Sequence, residues 1–193
     1  FFINKKFDQN TIEAYDQQLI SLGIPIYTER NRFLKSFIPI FKKYYNNISS
    51  GDDMVNIKYN SNLNEGSFSE IIRSSISKDR FVQYTTKGIH KDDLEFLIDG
   101  NKIKNFGSQG QQKSFLVSLK LAQFEYYKEK LGSSPIVLLD DIFDKLDQDR
   151  VRQIVNILEK NEFGQIFITD THKERVENAL KDSSNKEEIF NIE

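Results

Sequence analysis

Two adjacent carboxylates, Asp140 and Asp141, directly follow four aliphatic residues at 136–139. Ligands of open α/β sheets bind beyond the carboxyl ends of the strands, so a strand at 136–139 would present both acids to a ligand crevice. In a Walker B element of this form, the first acid helps to hold the Mg²⁺ of a bound nucleotide, and the second can orient an attacking water. We therefore assign Asp140 to the metal ion and Asp141 to catalysis. The alternative is that one acid caps the next helix and the other is solvated.

A serine between two glycines opens a long predicted helix. Gly107 and Gly110 leave backbone N–H groups bare, Ser108 adds a hydroxyl, and a helix N-terminus favours anions, so the segment suits a phosphate. The alternative is an ordinary loop with a serine N-cap. Residues 107–114 nearly spell the P-loop pattern, but Gln112 stands where that loop needs a glycine. We therefore predict that the Walker A half of the nucleotide site is absent from this chain.

Polar residues also follow a second apolar run, at 165–169. Thr169 and Asp170 lie at the tip of this predicted strand, where they could reach the γ-phosphate region as a sensor. His172 lies further along, and a turn that caps the next helix is the better prediction for it than a role at the phosphate.

The first part of the chain predicts a mixture of helices and short strands. Apolar residues at helical spacing predict helices at 11–22 and 30–48. A stop at Gly23-Ile24-Pro25 and a kink at Pro39 would make them a long helical hairpin. Strands are predicted at 54–59 and 80–85, a helix at 67–77 with Ser67 or Ser69 as N-cap, and a hairpin of 94–98 and 102–106 around Asp99-Gly100-Asn101.

Near residue 86 the pattern changes to strands that alternate with helices. The apolar runs 135–139 and 165–169 are typical of strands buried on both faces of a parallel sheet. Helices are predicted at 109–131, 146–160 and 171–181, with Asp147 as a cap and a last strand at 188–192. This order predicts an α/β domain with a parallel sheet. We place a boundary near residue 86, between a helical arm with a small α+β segment at 1–85 and a second lobe at 86–193.

The amino-acid composition limits the number of domains, the kinds of partner and the cellular compartment that we expect for the chain. With 193 residues and 38% hydrophobic content, the chain can form one large domain or two small ones. The formal net charge of −2 does not indicate a nucleic-acid partner, although a local basic patch could still bind one. There is no cysteine, which fits the cytoplasm, and no apolar run long enough to span a membrane. The chain begins with Phe rather than Met, which suggests a fragment.

Taken together, the motifs resemble the C-terminal part of the RecF family, in the SMC-like branch of ABC ATPases. The resemblance is ordered and covers nearly the whole chain. The segment 108–112 is similar to the family's signature motif, 138–141 to its Walker B element and 144–147 to its D-loop, with Asp144 and Asp147 as acids. The segment 86–93 is similar to a stretch reading G-P-H-R-D-D, with Ile89 for Pro and Lys91 for Arg, and 16–19 and 30–34 resemble the helical arm.

The resemblance implies an α/β fold, the C-terminal lobe of an ABC/SMC-like ATPase head with parallel strands and an inserted helical arm. It implies ATP and Mg²⁺ as cofactors and a homodimer that forms when ATP binds. The signature residues of one head would contact the nucleotide of the other; they are Ser108, Gln109, Gly110 and Gln111.

The resemblance also implies work on DNA at single-strand/double-strand junctions, in recombinational repair, replication-gap processing and the SOS response, with RecR- and RecO-like partners. Contacts to DNA phosphates would come from lysines and would weaken with salt. The candidates are Lys35, Lys42, Lys43, Lys87 and Lys91; for any single one, a solvated surface position is the more common outcome.

Three other functions stay open at this point. The first is a transporter-type ABC domain, which the long helical arm and the paired aspartates disfavour. The second is a non-catalytic interaction module with a decayed site, against which the intact pair Asp140-Asp141 argues mildly. The third is an α/β domain that binds no nucleotide. If the ATPase hypothesis holds, the longer protein hydrolyses ATP, whereas this chain alone binds ATP weakly and hydrolyses none.

Overall fold

The computed structural model describes residues 8–49, 51–160, 163–181 and 188–190. These residues form two compact units that alternate along the chain. The first unit lies within Phe1–Ser36 and Ile57–Phe96, and the second within Phe37–Asn56 and Leu97–Glu193. Neither unit coincides with the ranges 1–85 and 86–193.

Helices and strands alternate irregularly in the first half of the chain and regularly in the second. Their bounds are α1 (Gln9–Ile48), β1 (Val55–Asn60), α2 (Phe68–Val82), β2 (Asp93–Ile98), β3 (Asn101–Lys102), α3 (Ile103–Phe106), α4 (Gln109–Leu131), β4 (Val137–Asp140), α5 (Gln148–Lys160), β5 (Ile166–Thr169) and α6 (Lys173–Leu180). Within the described residues, no helix is both long and apolar enough to cross a membrane.

Helix α1 continues through both places where the sequence predicts an interruption. The predicted helical hairpin is therefore wrong. Gly23 serves packing rather than helix termination, because a Cβ at this position would lie 2.4 Å from Cε1 of the buried Phe68 ring. Pro25 and Pro39 each remove one N–H donor, but burial of an apolar stripe can outweigh such local losses. The stripe consists of Leu34, Phe37, Phe41, Tyr44, Tyr45 and Ile48.

Helix α2 begins as predicted and ends later than predicted. Ser67 is its N-cap and accepts a hydrogen bond from the Glu70 N–H at 3.4 Å. The strand predicted at 80–85 is wrong, because α2 extends to Val82 and Gln83 ends it in the left-handed conformation. The buried carboxylate of Asp79 then holds the returning chain, since it accepts a hydrogen bond from the Thr86 N–H at 2.9 Å.

A three-stranded sheet has the strand order β1-β2-β3. The predicted hairpin forms, with Leu97 opposite Lys102 and Ile98 opposite Asn101. Its turn has positive φ at both Asp99 and Gly100, as a two-residue hairpin turn of type I′ requires. The second strand of this hairpin, predicted at 102–106, is shorter than expected, because residues 103–106 form α3 instead.

The second unit contains the predicted parallel pair. Strand β4 pairs with β5 in parallel, from Val137 opposite Ile166 to Asp140 opposite Thr169. Helix α4 has the predicted bounds, while α5 and α6 begin two residues later than predicted. Contrary to the prediction of two buried faces, the described residues bury only one face of β4: Val137 and Leu139 are buried while Leu138 is 73% exposed.

Aromatic residues make up much of the core of the second unit. The Phe41 ring of α1 lies 4.6 Å, centroid to centroid, from the Phe115 ring of α4. Leu121 and Ile154 are fully buried, and Phe143 nearly so. This core fixes α4 and the loop that follows β4, the two elements that carry the candidate site. Of the last strand predicted, residues 188–190 have no regular structure, and 191–192 lie outside the described residues.

Candidate nucleotide site

The two parallel strands end side by side in polar residues. Asp140 is the last residue of β4, and Thr169, opposite it in register, is the last residue of β5. The Thr169 hydroxyl donates a hydrogen bond to Asp140 Oδ1. Both residues are exposed, so the Asp140 carboxylate faces solvent at the carboxyl edge of the sheet. The structure thus places this acid where the sequence predicts it.

Asp141 turns the chain away from the sheet. Its φ is +49°, in the left-handed region. Its N–H donates to the Thr169 carbonyl at 2.8 Å, and its own carbonyl accepts a hydrogen bond from Lys113 Nζ at 2.7 Å. Its side chain is 44% exposed, which leaves the carboxylate accessible beside Asp140.

An arginine that the sequence reasoning missed lies among three carboxylates. Arg175 Nη1 is 3.8 Å from Asp141 Oδ1, 3.8 Å from Asp144 Oδ1 and 3.4 Å from Asp170 Oδ2. The Asp170 carboxylate is fully buried and also accepts a hydrogen bond from the His172 N–H at 2.8 Å. Buried carboxylates require such partners. Asp170 therefore anchors Arg175 and the start of α6, a structural use that differs from contact with a phosphate.

His172 lies at the edge of this cluster, with its ring Nδ1 3.9 Å from Asp170 Oδ1. It precedes α6 at the N-cap position without a side-chain capping bond, and its ring Nδ1 lies 2.9 Å from the Thr171 hydroxyl. The imidazole is largely exposed. The predicted turn before α6 forms, although the cap does not come from the imidazole.

The serine loop forms a capping box at the start of α4. Ser108 Oγ accepts a hydrogen bond from the Gln111 N–H at 3.2 Å, and Gln111 Oε1 accepts one from the Ser108 N–H at 2.8 Å. Such a box satisfies two otherwise unpaired donors of a helix N-terminus. Ser108 and Gln109 remain exposed, so the loop is accessible from outside the fold.

This loop is not a P-loop. Gly107 has an ordinary φ of −73°, and residues 110–114 lie inside α4. A P-loop wraps a phosphate with successive backbone N–H groups before its helix begins. Here the helix has already begun, which agrees with the prediction from Gln112.

Gln111 also ties the loop to the end of α1. Its Nε2 donates to Asp53 Oδ1 at 3.2 Å. The other oxygen of Asp53 accepts hydrogen bonds from the Tyr45 hydroxyl at 2.9 Å and the Ser49 hydroxyl at 3.3 Å. Burial, followed by the hydrogen bond to Asp53, raises the pKa of Tyr45 well above its usual range, so Tyr45 stays a donor. No motif in the sequence marks Asp53 as a partner of the serine loop.

The start of α5, which directly follows the D-loop segment, contacts the first turns of α4 through Arg150. Asp147 caps α5 as predicted, because its Oδ1 accepts a hydrogen bond from the Arg150 N–H at 2.9 Å. The guanidinium of Arg150 lies 3.3 Å from Asp147 Oδ2 and 3.4 Å from the Ser114 hydroxyl. A Cβ at Gly110 would lie 2.6 Å from Arg150 Nη1. Gly110 therefore has a packing role within the chain, whatever it contacts outside it.

The candidate lysines for DNA lie in different surroundings. Lys43 Nζ is 3.2 Å from Glu125 Oε1, so its charge is already paired. Lys91 Nζ lies 5.2 Å from the centre of the exposed Tyr84 ring. Lys35 is exposed, and Lys42 and Lys87 are half-buried.

The two segments that resemble the family's arm and its G-P-H-R-D-D stretch meet in the first unit. Arg30 Nη1 lies 2.9 Å from Asp92 Oδ2, and the Tyr59 hydroxyl donates to the same carboxylate oxygen. The Asp92 side chain is almost completely buried. This pair therefore gives both motifs a structural use in joining α1 to the start of β2.

The carboxylates of the acid pair are suitable ligands for a nucleotide-bound Mg²⁺ ion. Mg²⁺ is usually held by one or two carboxylates together with phosphates and water, and Asp140 offers an exposed carboxylate at the strand end. The part of the chain that the structure describes contains no group of three or more His, Cys, Asp or Glu residues that could hold a metal ion by itself. The phosphates of a nucleotide would have to supply the remaining ligands.

Comparisons with known proteins agree with this geometry. No family model matches the chain. It is 48% identical over 192 residues to the DNA replication and repair protein RecF of Flavobacterium johnsoniae. The aligned region covers 100% of this chain and 54% of that protein. It is 40% identical over 190 residues to the protein of the same name from Phocaeicola vulgatus, covering 98% and 51%.

Solved structures lead to the same family. The recombination mediator protein RecF of the RecFOR pathway, in its ATPrS form, has a TM-score of 0.73 at 28% identity and covers 89% of this chain and 48% of that one. The ATP form has a TM-score of 0.69 at 26% identity, covering 85% and 47%.

The fold and the parallel strand pair define the class as an α/β lobe of the kind found in the solved RecF structures. Within that class, the chain belongs to the RecF family. It spans about half the length of the curated relatives that it matches.

Proposed function

We propose that this chain is the C-terminal lobe of a RecF protein that binds and hydrolyses ATP while it works on DNA. The supporting observation is the exposed Asp140-Asp141 pair at the carboxyl edge of two parallel strands, together with an accessible capped serine loop at the start of α4. The ATP-containing RecF structures among its relatives support the choice of nucleotide.

Each residue of the acid pair has a distinct role in this proposal. Asp140, held by the Thr169 hydroxyl, is a ligand of Mg²⁺, which when bound neutralises the developing charge on the phosphates. Asp141, beside it, orients and polarises the attacking water. The rest of the nucleotide cage comes from outside the chain, with the Walker A loop from the portion of the protein that these residues do not cover.

The serine loop serves a second copy of the protein. Ser108, Gln109, Gly110 and Gln111 face the γ-phosphate of the partner's ATP, where a hydroxyl and a helix N-terminus stabilise negative charge. The pairing is reciprocal, as expected for a two-fold dimer. ATP thus holds the two heads together, and hydrolysis releases them.

DNA binding completes the proposal. Relatives named for DNA replication and repair and for the RecFOR pathway support DNA and RecR- and RecO-like proteins as partners. The proposed setting is the cytoplasm. Lys35 and Lys91 are exposed and lie in the same unit, so we favour them over the paired Lys43 for phosphate contacts. Single-strand/double-strand junctions are the proposed substrate.

The decisive experiment is Asp141→Asn in a RecF protein that contains this chain and the remaining half of the family's length. Loss of the water-orienting carboxylate is expected to lower ATP turnover by about 100-fold or more while an ATP-bound dimer accumulates, measured by phosphate release and light scattering. Asp149→Asn, at an exposed carboxylate of α5, is the matched control. Normal turnover and dimerisation of Asp141→Asn would refute the catalytic role.

A further inference from the structure

The backbone of Asp141 is held from several sides in a conformation that it would seldom adopt alone. Its φ of +49° lies in the left-handed region, which residues with a Cβ seldom occupy. Such a conformation persists only where the surrounding structure fixes it. The Thr169 carbonyl fixes the N–H of Asp141 at 2.8 Å, and Arg175 lies 3.8 Å from its carboxylate.

Lys113 supplies the remaining constraint, on the carbonyl. Its Nζ donates to the Asp141 carbonyl oxygen at 2.7 Å. This is a charge-assisted bond to a main-chain atom, so it sets the orientation of the peptide that follows Asp141 rather than the charge of the carboxylate. Lys113 therefore positions the backbone of the proposed catalytic residue without contacting its carboxylate.

Lys113 belongs to the helix that the signature serine caps. Ser108 is the N-cap of α4, and Lys113 lies five positions further along the chain, in the second helical turn. The first turn of α4 also contacts the start of α5, just after the D-loop segment, where Gly110 lies against the Arg150 guanidinium. Helix α4 thus contacts the segment 141–150 at both of its ends.

We propose that Lys113 is a positioning residue that couples the signature loop to the Asp140-Asp141 pair within one chain. This inference rests on the proposed function, in which the signature loop faces the partner's nucleotide and the acid pair faces the chain's own. A shift of α4 when the partner's ATP engages Ser108 is passed through Lys113 to the backbone of Asp141. Each nucleotide site of the dimer thereby responds to the occupancy of the other, and hydrolysis becomes cooperative in ATP.

The first test compares Lys113→Met with Lys120→Met, at an exposed lysine of the same helix, in the longer RecF protein. Lys113→Met is expected to lower kcat with little change in KM and to reduce the Hill coefficient for ATP from about 2 towards 1, as two uncoupled sites require. Lys113→Arg keeps a donor of similar reach and is expected to restore both values. A merely structural loss would lower the amount of active protein without changing the Hill coefficient.

A second test needs no ATPase activity. In the 193-residue chain, loss of the bond to the Asp141 carbonyl is expected to let the Asp141 backbone break its N–H bond to the Thr169 carbonyl more often. Amide hydrogen exchange of Asp141 is then expected to be about 3- to 10-fold faster in Lys113→Met but not in Lys120→Met. Should Lys113→Met not fold, Lys113→Gln, which has a polar end of shorter reach, replaces it in both tests. Unchanged exchange at Asp141 would overturn the positioning role.

The two proposals fail in different ways. If Asp141→Asn hydrolyses ATP normally, the proposed function fails, and the coupling falls with it. If Asp141→Asn is inactive while Lys113→Met keeps the wild-type kcat and Hill coefficient, the ATPase function stands and the coupling alone is refuted.

Discussion

At the scale of single residues, Ser108 combines a structural role with a proposed functional one, and the two can be separated. As N-cap of α4 it accepts the Gln111 N–H, and loss of such a cap costs about 1 kcal/mol of stability. In the proposed dimer its hydroxyl faces a phosphate. Aspartate caps a helix as well as serine does, but it would bring negative charge to that phosphate.

Ser108→Asp is therefore expected to unfold at nearly the wild-type urea midpoint and to lose ATP-dependent dimerisation in the longer protein. Ser108→Ala should show a free energy of unfolding lower by about 1 kcal/mol. Urea titration and light scattering with ATP measure the two effects. ATP-dependent dimerisation of Ser108→Asp at the wild-type level would show that Ser108 is a cap and no more.

The site residues that the sequence indicated have signals close by in the chain, whereas the residues that it missed have partners far away in the chain. Asp140 and Ser108 have local signals, a preceding apolar run and flanking glycines. Lys113 bonds to a residue 28 positions away, and Arg175 reaches Asp141 from α6. Only the folded arrangement of α4, β4 and α6 brings these charges to the acid pair, and no spacing rule along one element could have indicated it.

At the scale of elements, helix propensity and packing have opposite effects on stability at Gly23. In an exposed helix, Gly→Ala stabilises by about 1 kcal/mol. Here the added Cβ would lie 2.4 Å from Phe68 Cε1, and Phe68 is buried. Overpacking of this kind typically costs 1–3 kcal/mol, so we expect the steric cost to exceed the gain in propensity.

Gly23→Ala is accordingly expected to lower the free energy of unfolding by about 1 kcal/mol, measured by urea titration. In the Phe68→Leu background, where the ring is gone, the same change should be neutral or stabilising. A stabilising effect of Gly23→Ala in the wild-type background would mean that α1 and α2 do not pack closely at this point.

The same glycine shows why some elements could be predicted and others not. Helix α4 has a serine cap, several buried apolar residues between Phe115 and Phe124 and a terminal glycine, Gly132, so its local signals agree with its packing. In α1, local stop signals at Gly23 and Pro25 conflict with packing, and packing prevails. The exposed face of β4 was mispredicted for a related reason, because an apolar run such as 136–139 does not reveal what lies over each of its faces.

At the scale of the whole molecule, the described residues supply only part of the proposed nucleotide cage. The carboxyl edge of β4 and β5 supplies acids, while the loop before α4 bonds to its own capping groups and does not wrap a phosphate. The chain also spans about half the length of its relatives. The phosphate-wrapping loop, which contributes most of the N–H donors in such sites, must then come from elsewhere.

We therefore expect the 193-residue chain alone to bind Mg-ATP with a Kd weaker than about 100 µM, a free energy of roughly −5.5 kcal/mol, and to release no phosphate. Isothermal titration and a phosphate-release assay test both statements. Asp140→Asn should make little further difference in this chain, because one carboxylate without the phosphate-wrapping loop gains few contacts with the nucleotide. Binding below about 1 µM would contradict the division of the site, because the chain would then have to hold the triphosphate with the α4 N-terminus alone.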